Sequence, residues 1–100
     1  MNTIGKRVKF TENRKKVRGV VEDAISHLEI YDDRDFLDLI QYIRWDNVTH
    51  HSIRICYYVR PHGSGEEGWM FANRPLSITT DEFEKLLKKA RGKTWFPQFS

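Results

Sequence analysis

Between Ile53 and Phe71 the chain interleaves rings and guanidinium groups in a pattern that could do binding chemistry. With the two-residue period of a strand, Ile53, Ile55, Tyr57 and Val59 point one way, and Arg54, Cys56, Tyr58 and Arg60 the other. Pro61 to Gly68 supplies a turn with three glycines, and Trp69 and Phe71 return opposite a set formed by Met70, Ala72, Leu76 and Ile78. Arg54, Tyr58, Arg60, Trp69 and Phe71 therefore share one side of a hairpin. Rings offer stacking worth about 1–3 kcal/mol per base and arginines neutralise phosphate, which is the chemistry of single-stranded nucleic-acid binding. The same side could equally be core, because a two-stranded ribbon is marginal alone and any helices before it must bury their apolar stripes somewhere. Both readings stay open at the level of sequence.

A second chemistry-bearing region is the N-terminus. Residues 1–18 hold seven Lys and Arg against one acid, residues 19–46 two against eight, and residues 47–100 eight against five, so a net charge of +3 conceals a basic end beside an acidic middle. Arg7, Lys9, Arg14, Lys15, Lys16 and Arg18 fit either a phosphate-binding arm, of about residues 1–16, or a tail folded onto its acidic neighbours.

Other constellations are weaker. His50, His51, Cys56 and His62 match no ordinary zinc spacing, and no metal site is expected. Asp32, Asp33, Asp35 and Asp38 could pair with a histidine as acid and base or bind Mg²⁺, but acids gathered at a helix start explain them more simply. No nucleophile elbow, phosphate loop or dinucleotide fingerprint is present, so no catalytic residues and no cofactor are assigned and an enzyme is not expected.

The elements that must position these groups follow from periodicity. Val17, Val20, Val21, Ala24, Ile25 and Leu28 recur at spacings of three and four, which predicts a helix of about four turns, with Leu28 to Tyr31 as its end or a short strand. Asp32 to Asp35 offers N-caps for a second helix, with Phe36, Leu39, Ile40 and Ile43 as its stripe to about Trp45. After the hairpin, Thr79-Thr80-Asp81-Glu82 forms a capping box that opens a third helix with Phe83, Leu86, Leu87 and Ala90 buried, ending at cationic residues and Gly92. The expected fold class is α+β: two N-terminal helices, a central antiparallel β-hairpin open to a third strand from Val8 to Phe10 or Leu28 to Tyr31, and a C-terminal helix packed on one face.

One hundred residues suffice for one domain, and 39% hydrophobic with 31% charged residues describes a globular chain. No apolar run has the length of a membrane span and the first residues lack a secretory signal pattern, so no membrane partner is expected. With a lone Cys56, a reducing, cytoplasmic location is expected. The aromatic tail 93–100 should dock on the domain or a partner. A rival to nucleic-acid binding is a protein-interaction module, accessory or inhibitory, anchored by Trp69, Phe71, Trp95, Phe96 and Phe99. Unpaired hairpin edges also make a homodimer joining two sheets an expectation.

The segments IRICYYVR, GSGEEG and RPLSITTDEFEKLLKKA, in that order between Ile53 and Ala90, resemble the PC4/p15 transcriptional coactivator family. The likeness covers about two fifths of the chain and rests on pattern. It implies a curved antiparallel sheet backed by a helix, a dimer, and single-stranded DNA held on the strands. By the same likeness the family's basic residue before its last strand falls on Arg74, and its helix aromatic on Phe83. The chain departs from the family in two ways: two predicted helices stand where the family has its first strands, and the turn carries Glu66 and Glu67.

Overall fold

The computed structural model describes residues 1–97. It is largely antiparallel sheet: β1 (Arg7–Glu12), β2 (Lys15–Ile30), β3 (Arg34–Trp45), β4 (His51–Pro61) and β5 (Met70–Phe71), followed by α1 (Thr80–Ala90). The five strands pair in sequence order as a meander. The two expected N-terminal helices are therefore absent; their residues form β2 and β3, the longest strands of the sheet. The α+β layout with a central hairpin is corrected to a mostly-β fold in which the hairpin is one corner of a larger sheet.

The physical reason differs for each strand. In β2 a bulge between Val21 and Asp23 shifts the register against β3. Before it the inward residues are Val17, Gly19 and Val21; after it they are Ala24, Ser26 and Leu28. A two-residue alternation broken once in this way produces apolar positions at 17, 21, 24 and 28, the spacing of a helix face. In β3 the alternation vanishes because both faces are covered: Leu37, Leu39, Gln41 and Ile43 are buried on one side, Asp38 and Ile40 on the other. Asp32 to Asp35, expected as a helix start, is the β2–β3 turn, closed by the Tyr31 amide donating to the Arg34 carbonyl at 2.9 Å.

The sheet curls. Across a flat sheet β1 and β4 would lie about 14 Å apart, three strand spacings. Instead the Arg54 guanidinium of β4 stands 5.2 Å from the centre of the Phe10 ring of β1, and the Lys6 ammonium 5.3 Å from the ring of Tyr58. No Cα of β1 comes within 8 Å of one in β4, so side chains alone bridge the seam of this half-barrel. The concave face is filled by two adjoining clusters, Val8, Val21 and Ile43 with Trp45, and Leu37, Leu39, Cys56 and Tyr58 with Met1 and Trp69. Buried Gln41 sits between them with its polar atoms satisfied: it donates to Thr3 Oγ1 at 3.1 Å and accepts from Arg54 Nε at 2.7 Å.

The convex face carries α1. Leu86 and Ala90, both fully buried, pack with Ile25 and Ile40, and Phe83, Leu87, Trp95 and Phe96 surround them. Thr79 caps the helix as its spacing predicts, accepting from the Glu82 amide at 3.3 Å. The Glu82 carboxylate does not complete the box; it binds His27 and Lys85 instead. The tail docks through Trp95, which stacks on Tyr42 with centroids 5.0 Å apart and donates from Nε1 to Asp23 at 2.8 Å.

Candidate nucleic-acid interface

The basic N-terminal residues are built into the sheet as the β1–β2 hairpin, not held on an arm. Its two-residue turn places Asn13 and Arg14 at positive φ (49° and 66°), the left-handed pair that matches strand twist in tight hairpins. The register sets Lys9 directly opposite Arg18, with Thr11 opposite Lys16 and Arg7 opposite Val20. Arg7, Lys9, Lys16 and Arg18 thus share the convex side of this ladder, and Arg14 and Lys15 crown it. Like charges facing each other across a ladder are destabilising. Arg7 is neutralised by Asp46 at 2.5 Å, whereas Lys9, Arg14, Lys15, Lys16 and Arg18 form no ion pair with a described side chain and all are exposed.

Beside this ladder β2 projects past the end of β3, and the loop 46–50 stands off it. The cleft between them, about 440 Å³, is lined by Lys16, Arg18, Trp45, Asn47 and His50 among others, a size that takes a nucleotide. Trp45 forms its apolar wall, held by its Nε1 donating to Ser52 Oγ at 2.6 Å and by an edge contact with Phe10 at 5.3 Å. On the other side of Trp45 a hollow of about 500 Å³ opens at the seam between Phe10 and the Ile53–Ile55 run. Gly19 is required here, since a Cβ would lie 2.6 Å from the Arg44 carbonyl and 2.8 Å from the Trp45 ring.

The strand face carrying Arg54, Tyr58, Arg60, Trp69 and Phe71 is assembled on one side as the alternation predicts, but much of its chemistry is turned on itself. The Arg54 guanidinium lies between the rings of Phe10 and Phe71, at 5.2 and 5.0 Å. Arg60 stacks on Trp69 at 4.4 Å and pairs with Asp35 at 2.9 Å. Tyr58 is buried, and the buried Trp69 Nε1 has no hydrogen-bond partner among the described residues. Phe71 and Phe10 stay partly exposed, at 45% and 37%. Arg74 lies exposed in the segment between β5 and α1, away from the hairpin ladder. Of the expected partner anchors, Trp95 and Phe96 are spent on the domain itself, and Phe99 lies outside the described residues.

The histidines do not converge. His50 lines the Trp45 cleft, His51 stacks on Tyr42 at 4.4 Å and binds Glu22 at 2.6 Å, and His62 binds Asp35 at 2.9 Å. The Arg60 guanidinium, with His62, holds the Asp35 carboxyl below its usual range, as suits a fixed ion pair. Burial pushes the Cys56 thiol up. Among the described residues no three His, Cys, Asp or Glu side chains are grouped to hold a metal.

Phe10 and Trp45 are the site residues that sequence reasoning missed. Val8 and Phe10 alternate with Arg7, Lys9 and Thr11, a strand signal that places a ring next to cations. No family model matches this chain, and no curated protein and no solved structure matches it either.

Proposed function

We propose that this protein binds the phosphate backbone of nucleic acid on the β1–β2 hairpin, with a base or nucleoside entering the cleft against Trp45. The observation that carries the reading is the Lys9–Arg18 pair: two like charges fixed opposite one another, with no acid among the described residues in ion-pair contact with either. A polyanion would remove that repulsion and release counterions as it bound. Lys16, Arg14 and Lys15 extend the cationic track, while Phe10 and Phe71 add partly exposed rings at the seam. The likeness of residues 53–90 to the PC4/p15 family belongs to this proposal too, since a curved antiparallel sheet with a C-terminal helix is the arrangement that likeness implies.

The test is fluorescence anisotropy of labelled single- and double-stranded oligonucleotides at two ionic strengths. About four phosphate contacts give a log–log salt slope of about −3 on a single strand. Absence of binding to either form at low salt overturns the reading.

A second reading, self-association, is favoured by the free edge of β4. The Ala72 amide donates to the Tyr57 carbonyl at 3.0 Å, so Tyr57 faces β5; by alternation the amides and carbonyls of Ile55 and Ile53 face outward, where no described strand pairs with them. Both side chains are exposed. Edges of this kind pair with other strands, and a two-fold β4–β4 ladder is the simplest closed form. Light scattering at hundreds of micromolar should report twice the monomer mass; a monomer there sinks it.

A further inference from the structure

On the convex face, away from the hairpin, a cavity of about 330 Å³ lies between the sheet and the segment Pro75–Ser77. Its walls are aromatic. Tyr31 meets Phe36 edge-on at 5.2 Å, and Phe36 meets Tyr57 at 5.9 Å. Its polar groups are acidic: Glu29, which accepts from the Tyr31 hydroxyl at 3.1 Å, and Asp38. Asp38 is 0% exposed, and neither of its carboxyl oxygens accepts from a donor among the described residues; its protonated form shares a hydrogen bond with Glu29, so the carboxyl is satisfied only while it keeps that proton. Once ionised, a buried carboxyl so placed costs stability unless something donates to it.

The chemistry of the walls narrows what that donor can be. Two carboxyl groups, with the Glu82 carboxylate of α1 nearby, exclude an anion. His27 and Glu82 bind each other and do not line the cavity, so a divalent cation would find two carboxyl ligands there and would meet ring faces instead. A quaternary ammonium suits the rings but brings no N–H to the orphaned oxygens. We propose that this cavity binds a primary alkylammonium group, with Asp38 and Glu29 accepting its N–H bonds and the rings of Phe36, Tyr57 and Tyr31 packing against its methylene chain.

Binding carries a proton signature. The groups facing Asp38 are His27 and Glu29 on β2, Tyr57 on β4 and Glu82 on α1. His27 is turned to Glu82 and does not neutralise Asp38. Burial, then Glu29 and Glu82, push the Asp38 carboxyl up to about 8, so at neutral pH it must lose its proton to accept the ammonium charge. Affinity for an amine therefore rises as the pH is taken from 6 toward 9.

The experiment uses n-butylammonium as probe, with butan-1-ol and tetramethylammonium as controls, followed by the ring-proton resonances of Phe36 and Tyr57. Saturable shifts with n-butylammonium, at least tenfold tighter than with either control and lost in Asp38→Asn, are expected. The amide spectrum of the variant reports whether it is folded; if it is not, Glu29→Gln serves, with a several-fold loss expected. Equal binding of butan-1-ol, an Asp38→Asn protein that binds unchanged, or no saturable shift overturns the proposal.

Discussion

The two ends of the sheet hold their cations in opposite ways. At the β2–β3 turn end, Arg60 is paired with Asp35, stacked on Trp69 and reached by Glu66 at 3.6 Å; Asp35 also holds His62, and Glu66 meets the N-terminal amine at 3.5 Å. At the β1–β2 end, Lys9, Arg14, Lys16 and Arg18 project from a hairpin in which none of them forms an ion pair with a described side chain, and Lys9 stands opposite Arg18. The first set ties the start of the chain, β3 and β4 together. In the second set Lys9 and Arg18 repel each other across the ladder, which is the arrangement on which the proposed binding of a polyanion rests.

The two ends must therefore respond differently to mutation. The largest effect is expected from Lys9→Glu/Lys16→Glu/Arg18→Glu, which should cut oligonucleotide affinity at low salt about 100-fold, or about 2.8 kcal/mol, in anisotropy titrations. Arg60→Ala should instead cost about 2 kcal/mol of folding stability in urea, through the lost Asp35 pair and the lost packing on Trp69, with oligonucleotide affinity changed less than twofold. Next comes a pH effect. The Asp38 carboxyl keeps its proton in the folded state up to about 8 but loses it near 3.8 when unfolded, so the unfolded chain binds fewer protons in between and stability falls as pH rises across that window. Thermal midpoints should show the decline in wild type, and Asp38→Asn should flatten it. Asp35, its carboxyl held low by Arg60, works in the other sense: its contribution is present above the usual carboxylate range and is lost as pH falls through its lowered value. The smallest effect is the sharpest discriminator. Lys9→Glu alone places opposite charges across the ladder and should raise stability by about 0.5 kcal/mol while weakening nucleic-acid binding. A variant that loses both sinks the contrast.

Some of this was readable in advance. The hairpin strand from Ile53 was legible because β4 lies next to the open edge and keeps its period of two, and α1 because Thr79 announces its start in four residues. The first 45 residues misled for reasons internal to sheets: one extra residue in β2 imitates helical spacing, and β3, covered on both faces, shows no alternation. Their richness in Val and Ile was the signal favouring strands. The basic cluster was visible as composition, but which cations face each other is a matter of register, settled by the Asn13–Arg14 turn. Asp38 was legible only as one more acid in a run; its burial depends on α1 and the 72–79 segment, which lie far along the chain.

The bulge at Glu22 has one more consequence. It acts as a frameshift written in three dimensions, holding the two halves of β2 in opposite phase, so that Val21 and Ala24 both look into the curl while Ile25 looks out to α1. Loss of any one residue between Gly19 and Ile25 would restore a uniform zigzag and turn half of the strand inside out. This stretch should therefore tolerate replacement of the exposed Glu22 and no change in length.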